Sequence, residues 1–522
     1  MQPEYHQHEE FQQRTHTLHD IRSLGIDPYP PSFRPTHTAE SIIQQYDSCT
    51  HSFEEAQVGI TPHLLFSGRL VLFRAMGKNA FAHLQDETGR LQVVFNKETL
   101  HVTGLHQEST QDAMKFVEKK LDLGDIIGVE GHLFRTQKGE LTLFVKQMTL
   151  LCKTLLPLPD KHSGLVDKGV RYRKRWLDLI SHLDGITHFR KRSRILELIR
   201  HEFAKEDFLE VETPVLQNVY GGAQARPFVS HLHALDQSMF LRISLEIPLK
   251  KLLVGGLTRV YEMGKVFRNE GIDRTHNPEF TELEAYAAYW DYTDMMTFVE
   301  NLFANIAIAL HGTTKLCIQK EETTHDIDLK TPWIRMSMKE SLLVYANINY
   351  DTLSKEEIYA LLSQKGVTEK ELHSLSKGLL LAKLFEEYVE HHLLQPHHII
   401  DHPIETTPLC KPHRDPLLRE EGFVERFETF IAGAEFCNSY TELNDPELQR
   451  SLLEKQAQQR LDGDEEANPL DEEFIEAICQ GMPPAGGFGM GVDRLVMLLT
   501  NAESIKDVLL FPLMKSEEHS TP

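Results

Sequence analysis

The sequence predicts an α+β chain in two parts, a small β-barrel followed by a larger region that mixes strands and helices. Three observations carry this. Between Leu64 and Leu151 the chain reads as short β-rich runs separated by turn signals. Pro157 and Pro159 then interrupt it as a linker would. Beyond them, Phe189–Phe203 sets Ile195, Leu198, Ile199 and Phe203 on one stripe, the spacing of an amphipathic helix, and a mixed region continues to about Leu513.

Residues 1–60 are polar and His-rich, with prolines at 28, 30 and 31, and are expected to form a helical or partly loose extension. His6, His8, His16 and His19 have no accompanying acid or Cys pattern, so they read as surface histidines rather than metal ligands. Strands are expected at Phe66–Phe73, Ala80–Gln85, Leu91–Phe95, Ile126–Leu133 and Leu141–Leu150, with turns at Thr88-Gly89 and Lys138-Gly139. Five strands over 61–155 fit a barrel of OB type, a fold often used for single-stranded nucleic acid. Fold alone does not establish a ligand. Residues 156–180 read as a linker and 181–515 as the larger domain. Within it Phe208–Leu216 reads as a strand containing Pro214, and Ser354–His392 as a helical insertion, around 350–395. His391, His392, His397 and His398 read as surface or core residues. The acidic run 462–466 reads as a solvated turn, and 516–522 as a tail.

Bulk properties narrow the class. A chain of 522 residues has room for two to four domains. Its apolar fraction of 41% and charged fraction of 25% are those of a globular protein. No run approaches the ~18 apolar residues of a membrane span, and no signal-peptide pattern opens the chain. The six cysteines are scattered without a CxxC pair, which fits a reducing, cytoplasmic compartment. The net charge of −23 argues against nucleic-acid binding over the whole surface. Any such role needs a local patch, and Lys168–Arg200 is basic enough to be one or to be a solvated helix face.

Neither GxxxxGK[ST] nor GxGxxG occurs, so nucleotide chemistry must rest on other residues. Three stretches are candidates. In Arg259–Tyr286 two strands flank a polar loop carrying Arg268, Glu270, Arg274, His276 and Asn277. Alternation puts Phe280, Glu282, Glu284 and Tyr286 on one face and Thr281, Leu283, Ala285 and Ala287 on the other. Arginine can fork onto a phosphate or carboxylate, and Phe280 can stack on a base. In Gly486–Leu499, glycines 486, 487, 489 and 491 let backbone approach a ligand, and a helix follows. Arg494 in its first turn opposes the helix dipole, which points to a phosphate partner rather than to stability. In Arg426–Asp445, Glu428 and Glu435 are candidate Mg²⁺ ligands, and Asn438, Tyr440 and Glu442 share a face when extended.

Together these stretches resemble the class II aminoacyl-tRNA synthetases. Phe208–Leu216 is similar to their first motif, Phe267-Arg268-Asn269-Glu270 through Phe280 to the second, and Gly487–Arg494 to the third. The words GGAQARPF, HNPEFTELE and NSYTELND are closest to the lysine-specific members of the class. The resemblance spans about residues 60–515. It implies an OB barrel that binds the anticodon and a catalytic domain on an antiparallel sheet flanked by helices, assembled as a homodimer. It implies ATP, L-lysine and tRNA(Lys) as substrates and Mg²⁺ as cofactor. By the same resemblance, Arg74, Phe81 and Gln92 would read the anticodon. Arg268 and Arg494 would be catalytic, holding phosphate charge. Glu270, His276, Asn277, Phe280 and Glu428 would complete the ATP site. Gly222, Glu246, Glu284, Tyr286, Asn438 and Glu442 would hold lysine. Glu428 and Glu435 would hold the metal.

Two departures stand out. Cys437 and Ser439 flank Asn438 where some members have smaller residues, and Ser244–Lys250 differs from the common wording around its glutamate. Cys437 is expected to be packed and inert. Two rival readings are a lysine transferase acting on protein, a class without the anticodon barrel, and a scaffold built on an inactive synthetase domain. The intact set Arg268, Glu428, Glu435 and Arg494 speaks against the second.

Overall fold

The computed structural model describes residues 3–105, 110–159, 165–320, 323–461 and 467–515. The expected acidic turn at 462–466 and the tail 516–522 lie outside the described residues. The chain divides into two compact units, Met1–Thr187 and His188–Pro522.

The first unit is built on strands His63–Met76, Asn79–Gln85, Arg90–Asn96, Ile126–Arg135 and Leu141–Cys152, each overlapping an expected strand. Arg90–Asn96 pairs with Leu141–Cys152 and closes the sheet into a barrel. A two-residue strand, His101–Val102, adds to its edge. Alternate residues point inward: Leu64, Phe66, Ala80, Ala82, Leu84, Leu91, Val93 and Phe95 are buried. Residues 3–60, expected to be helical or partly loose, carry three α-helices joined by non-helical segments. Glu9–Ser23, Ala39–Tyr46 and Phe53–Val58 are helical, and Ile21, Ile26, Ala39 and Ile42 join the barrel core. Their burial is what holds this polar segment down. The stretch expected as a linker carries helices Lys168–Arg173 and Arg175–Ser181, tied by buried Asp178 to Arg171 and Arg175.

The second unit carries an eight-stranded sheet. Its order is Ile334–Ser337, His397–Pro403, Phe423–Ile431, Ala434–Thr441, Ala485–Gly491, Glu279–Ala288, Arg259–Phe267 and Leu209–Glu210. The inner pairings are antiparallel and the outermost at each edge is parallel. Helices Leu183–Lys205, Tyr292–His311 and Val492–Thr500 pack one face through Ile199, Phe203, Val299, Phe303, Val496 and Leu499. The expected helical insertion is three helices, Lys355–Gln364, Glu369–Ser374 and Lys377–Tyr388. It buries Leu362, Leu381 and Leu384 in a core shared with Ile399 and Phe430 of the sheet. His397 and His398 are buried strand residues; His398 Nδ1 lies 2.9 Å from Thr429 Oγ1. Cys437 is buried in the main core and burial drives its thiol pKa up, as an inert cysteine requires.

One expected strand is not continuous. In Phe208–Leu216 only Leu209–Glu210 and, at the far end, Leu216–Gln217 are extended, and they belong to different sheets. Pro214 has no N–H to offer a ladder. Thr213 bonds through its N–H and hydroxyl to the Glu262 side chain, at 2.9 and 2.7 Å, instead of to a neighbouring strand.

Candidate active site

The face of Glu279–Ala288 that carries Phe280, Glu282, Glu284 and Tyr286 is turned away from the hydrophobic core and lines a cavity of about 390 Å³. The opposite face supplies Leu283, Ala285 and Ala287 to that core. The alternation read from sequence is therefore a cavity face, not a solvent face: Glu284 and Tyr286 are both buried.

The glycine-rich stretch is a strand rather than a loop. Gly487, Gly489 and Gly491 stand opposite Tyr286, Glu284 and Glu282 on one side. On the other side Gly487 and Gly489 stand opposite Tyr440 and Asn438. The strand thus forms a bare floor between two rows of polar side chains. At Gly487 the absence of a side chain is obligatory. A Cβ there would lie 2.2 Å from Glu442 Oε1 and 2.4 Å from the Tyr286 ring.

At one end of the cavity two arginines, Arg268 and Arg494, each stand beside a carboxylate, Glu282 and Glu435. Arg268 donates to Ile243 O at 3.2 Å and to Glu282 Oε1 at 3.3 Å, and its guanidinium lies 5.1 Å from the Phe280 ring centroid. Arg494 donates to Glu435 O at 2.7 Å and to His276 Nε2 at 3.1 Å. His276 Nδ1 faces Asp273 Oδ2 at 2.8 Å. That pairing puts the ring proton on Nδ1, leaving Nε2 as acceptor. Burial opposes ionisation of Asp273, yet hydrogen bonds from Thr275 and His276 hold its pKa down at about 2. The neighbouring Asp493 is anchored for another purpose: it accepts from Thr281 N at 2.8 Å and pairs with Arg192 at 2.6 Å, locking the helix start to the strand. Asn277 Oδ1 and Glu282 Oε2 are buried at the cavity with no hydrogen-bond partner among the described residues. Such orphans are costly unless a ligand meets them.

The other end is anionic. Glu284 accepts from Ser244 Oγ, Leu245 N and Tyr286 Oη at 2.6, 2.7 and 2.7 Å. Burial, then the charges of Glu282 and Glu246, push its pKa up to about 8. Glu246 opens the helix Glu246–Val254 and accepts from Tyr440 Oη at 2.7 Å. Gly222 turns past it with φ +88°, where a Cβ would strike Ser244 Oγ.

Of the residues expected from sequence, Gly222, Glu246, Arg268, Glu270, His276, Asn277, Phe280, Glu284, Tyr286, Glu435, Asn438 and Arg494 line this one cavity. Glu428 and Glu442 do not line it. Glu442 is fully buried behind Gly487. Glu428 pairs with Arg426 at 2.6 Å. Burial and then the Glu428 charge raise the pKa of Glu435, the response of two carboxylates sharing a site. No cluster of three or more His, Cys, Asp or Glu suited to a metal occurs among the described residues. Three contributors escaped sequence reasoning: Arg426 donates to Asn438 Oδ1 at 2.9 Å, and Ser244 and Lys250 set the carboxylates. Tyr440, read from the sequence on one face with Asn438 and Glu442, holds Glu246.

On the barrel, Arg74 is exposed and pairs across strands with half-buried Phe81. Gln92 stands opposite His83, two residue pairs further along the ladder from Phe81. Gln92 Oε1 accepts from Thr142 Oγ1 at 2.8 Å and its Nε2 donates to Glu140 at 2.7 Å; Glu140 also meets His83 at 2.9 Å.

Comparison with known proteins agrees with this architecture. The family described as tRNA synthetases class II (D, K and N) matches residues 167–515, and the OB-fold nucleic acid binding domain matches 65–151. A lysine–tRNA ligase of Chlamydia caviae is 54% identical over 99% of this chain and 98% of its own length. That of Chlamydia pneumoniae is 54% identical over 98% of each chain. That of Methanoculleus marisnigri is 44% identical over 96% of this chain and 94% of its own. With both domains matched and near-complete coverage at such identity, the chain belongs to the class II tRNA synthetases and, among them, to the lysine–tRNA ligase family.

Proposed function

We propose that this chain activates lysine with ATP to a lysyl-adenylate and transfers the lysyl group to the 3′ end of tRNA(Lys), releasing pyrophosphate and AMP. The observation that carries it is the polarity of the cavity: arginines 268 and 494 at one end, glutamates 246 and 284 at the other. ATP is anionic, and lysine carries two ammonium groups. Each meets its complement, while the carboxylate of lysine and the α-phosphate meet between the two ends.

In this reading Phe280 stacks under adenine, Glu270, His276 and Asn277 hold the nucleotide, and Arg494 meets the distal phosphate. Arg268 bridges the α-phosphate and the attacking carboxylate, stabilising charge as pyrophosphate departs. Glu246, Glu284 and Gly222 surround the α-amino end, Asn438 the carboxylate, and Glu442 with Tyr286 the ε-ammonium. Glu428 and Glu435 suit Mg²⁺, which takes one or two carboxylates and completes its shell with phosphate oxygens and water. Bound there, it would neutralise charge on the phosphates. Little side-chain acid–base chemistry is needed, and positioning supplies much of the rate. A site built to bond a polar group rejects analogues lacking it by about 10⁴-fold or more, which excludes apolar amino acids of similar length.

The barrel supports anticodon reading by Arg74, Phe81 and Gln92, with aromatic stacking on a splayed base and polar contacts to its edge. A homodimer is supported by the exposed apolar side chains Leu209, Val215, Leu216, Val219 and Val229 around the first motif. No helix among the described residues is long and apolar enough to cross a membrane, and we assign the chain to the cytoplasm. The test is amino-acid-dependent ATP–pyrophosphate exchange across the standard amino acids with Mg²⁺. Exchange with lysine alone is expected. Exchange with another amino acid overturns the roles of Glu442 and Tyr286, and none at all from a folded protein favours an inactive scaffold.

A further inference from the structure

Lys250 lies one helical turn after Glu246 and is fully buried. Its ammonium contacts both Glu246 Oε1 and Glu442 Oε2. It sits 5.4 Å from the Tyr440 ring centroid and 5.9 Å from that of Phe474. Tyr440 Oη donates to both oxygens of Glu246, at 2.7 Å each. Neither oxygen of Glu442 has a hydrogen-bond partner of good geometry among the described residues, and the Lys250 contact falls on Oε2 rather than Oε1. Oε1 lies in the space that a side chain at Gly487 would fill, against the Tyr286 ring. Gly487 and Tyr286 both line the cavity. One face of the Glu442 carboxylate is therefore held by an internal ammonium, and the other is turned towards the cavity floor with nothing on it.

We propose that Lys250 is a positioning residue for amino-acid selection. Its ammonium fixes the Glu246 and Glu442 carboxylates about one internal cation, so that Glu442 Oε1 is held towards the place of the terminal ammonium of the substrate. This rests on the reading of Glu442 as the partner of that ammonium. The physical need is plain. Two carboxylates buried this close, with no cation between them, would keep a proton on one. A protonated Glu442 attracts an ammonium poorly. With Lys250 in place, its charge counters the burial and the neighbouring carboxylates that raise the Glu442 pKa. A residue kept for stability alone would have no such requirement, because a buried ion pair is often replaceable by apolar packing at little cost.

The test uses the full chain carrying Lys250→Met or Lys250→Arg, with pyrophosphate exchange titrated separately in lysine and in ATP. For Lys250→Met the lysine KM is expected to rise by about 100-fold or more, the loss that follows removal of one partner of a buried charge pair. The KM for ATP stays at its wild-type value. Thermal unfolding shows whether the variant is folded. If it is not, Lys250→Arg decides: the planar guanidinium keeps the charge but cannot stand where the compact ammonium does, so a folded variant with a raised lysine KM is expected. A wild-type lysine KM in either folded variant, or a loss confined to kcat, overturns the proposal. Glu442→Gln separates the two levels of inference. If it too leaves the lysine KM unchanged, the underlying role of Glu442 falls. If it raises the KM and Lys250→Met does not, only the role of Lys250 falls.

Discussion

The Tyr286 hydroxyl donates to Glu284 Oε2 across 2.7 Å, from two positions along the same strand. Both side chains face the cavity, and Ser244 Oγ and Leu245 N occupy the other oxygen of Glu284. When Glu284 is ionised the phenol proton is committed to the carboxylate, which leaves the phenol oxygen free to accept. An ammonium is all donor and needs such an acceptor.

A pH dependence follows. In the empty site Glu284 has a pKa raised to about 8, so it is largely protonated at neutral pH. A bound cation favours the ionised form and lowers that pKa, so binding must release a proton between the two values. Lysine affinity should therefore rise as pH rises from 6 towards 8 and level off above. Calorimetry at pH 7 in two buffers of different ionisation enthalpy should detect proton release, and equal heats in both would refute the assignment.

Glu442→Gln removes the carboxylate behind Gly487 without changing shape. We expect the lysine KM to rise by about 100-fold, a loss of about 3 kcal/mol. Because Lys250 retains Glu246, unfolding should remain cooperative. Unchanged lysine-dependent exchange would remove Glu442 from the site.

Gly487→Ala places a methyl 2.2 Å from Glu442 Oε1, whereas at Gly489 the nearest atom, Glu284 Cγ, is 3.6 Å away. Overpacking of this kind costs about 1–3 kcal/mol. The first variant should lose lysine activation and some stability, while Gly489→Ala should keep its stability. Identical unfolding midpoints for the two would contradict the steric account.

Phe81→Ala should raise the KM for tRNA by the equivalent of about 1–3 kcal/mol, the usual worth of one base stacked on an aromatic ring. Pyrophosphate exchange should be untouched, because Phe81 belongs to the first unit and the cavity to the second. Equal loss in both assays would argue against a separate anticodon site.

Ile21→Ala tests the first sixty residues. Ile21 is fully buried in the barrel core, and such truncations cost about 2–5 kcal/mol. Urea denaturation of the full chain should show the barrel destabilised; an unchanged midpoint would mean that the helix merely rests on the surface.

Much of this protein is local, and what is local was legible. Period-two alternation around Phe280–Tyr286 announced the cavity face, because strand geometry alone sends those side chains one way. The barrel strands announced themselves by short β-rich runs between turns, and Arg494 by its position against the helix dipole. Tertiary structure decided what depended on partners far along the chain. Thr213 turned from a ladder to Glu262, breaking an expected strand. Ile21 and Ile42, weak signals in a polar segment, became core because a barrel lay beside them. Above all, Lys250 reads in sequence as one more helical lysine. Only the fold brings Glu442, almost two hundred positions away, against its ammonium, and burial then makes that pair matter, since a charge removed from water must find its counter-charge.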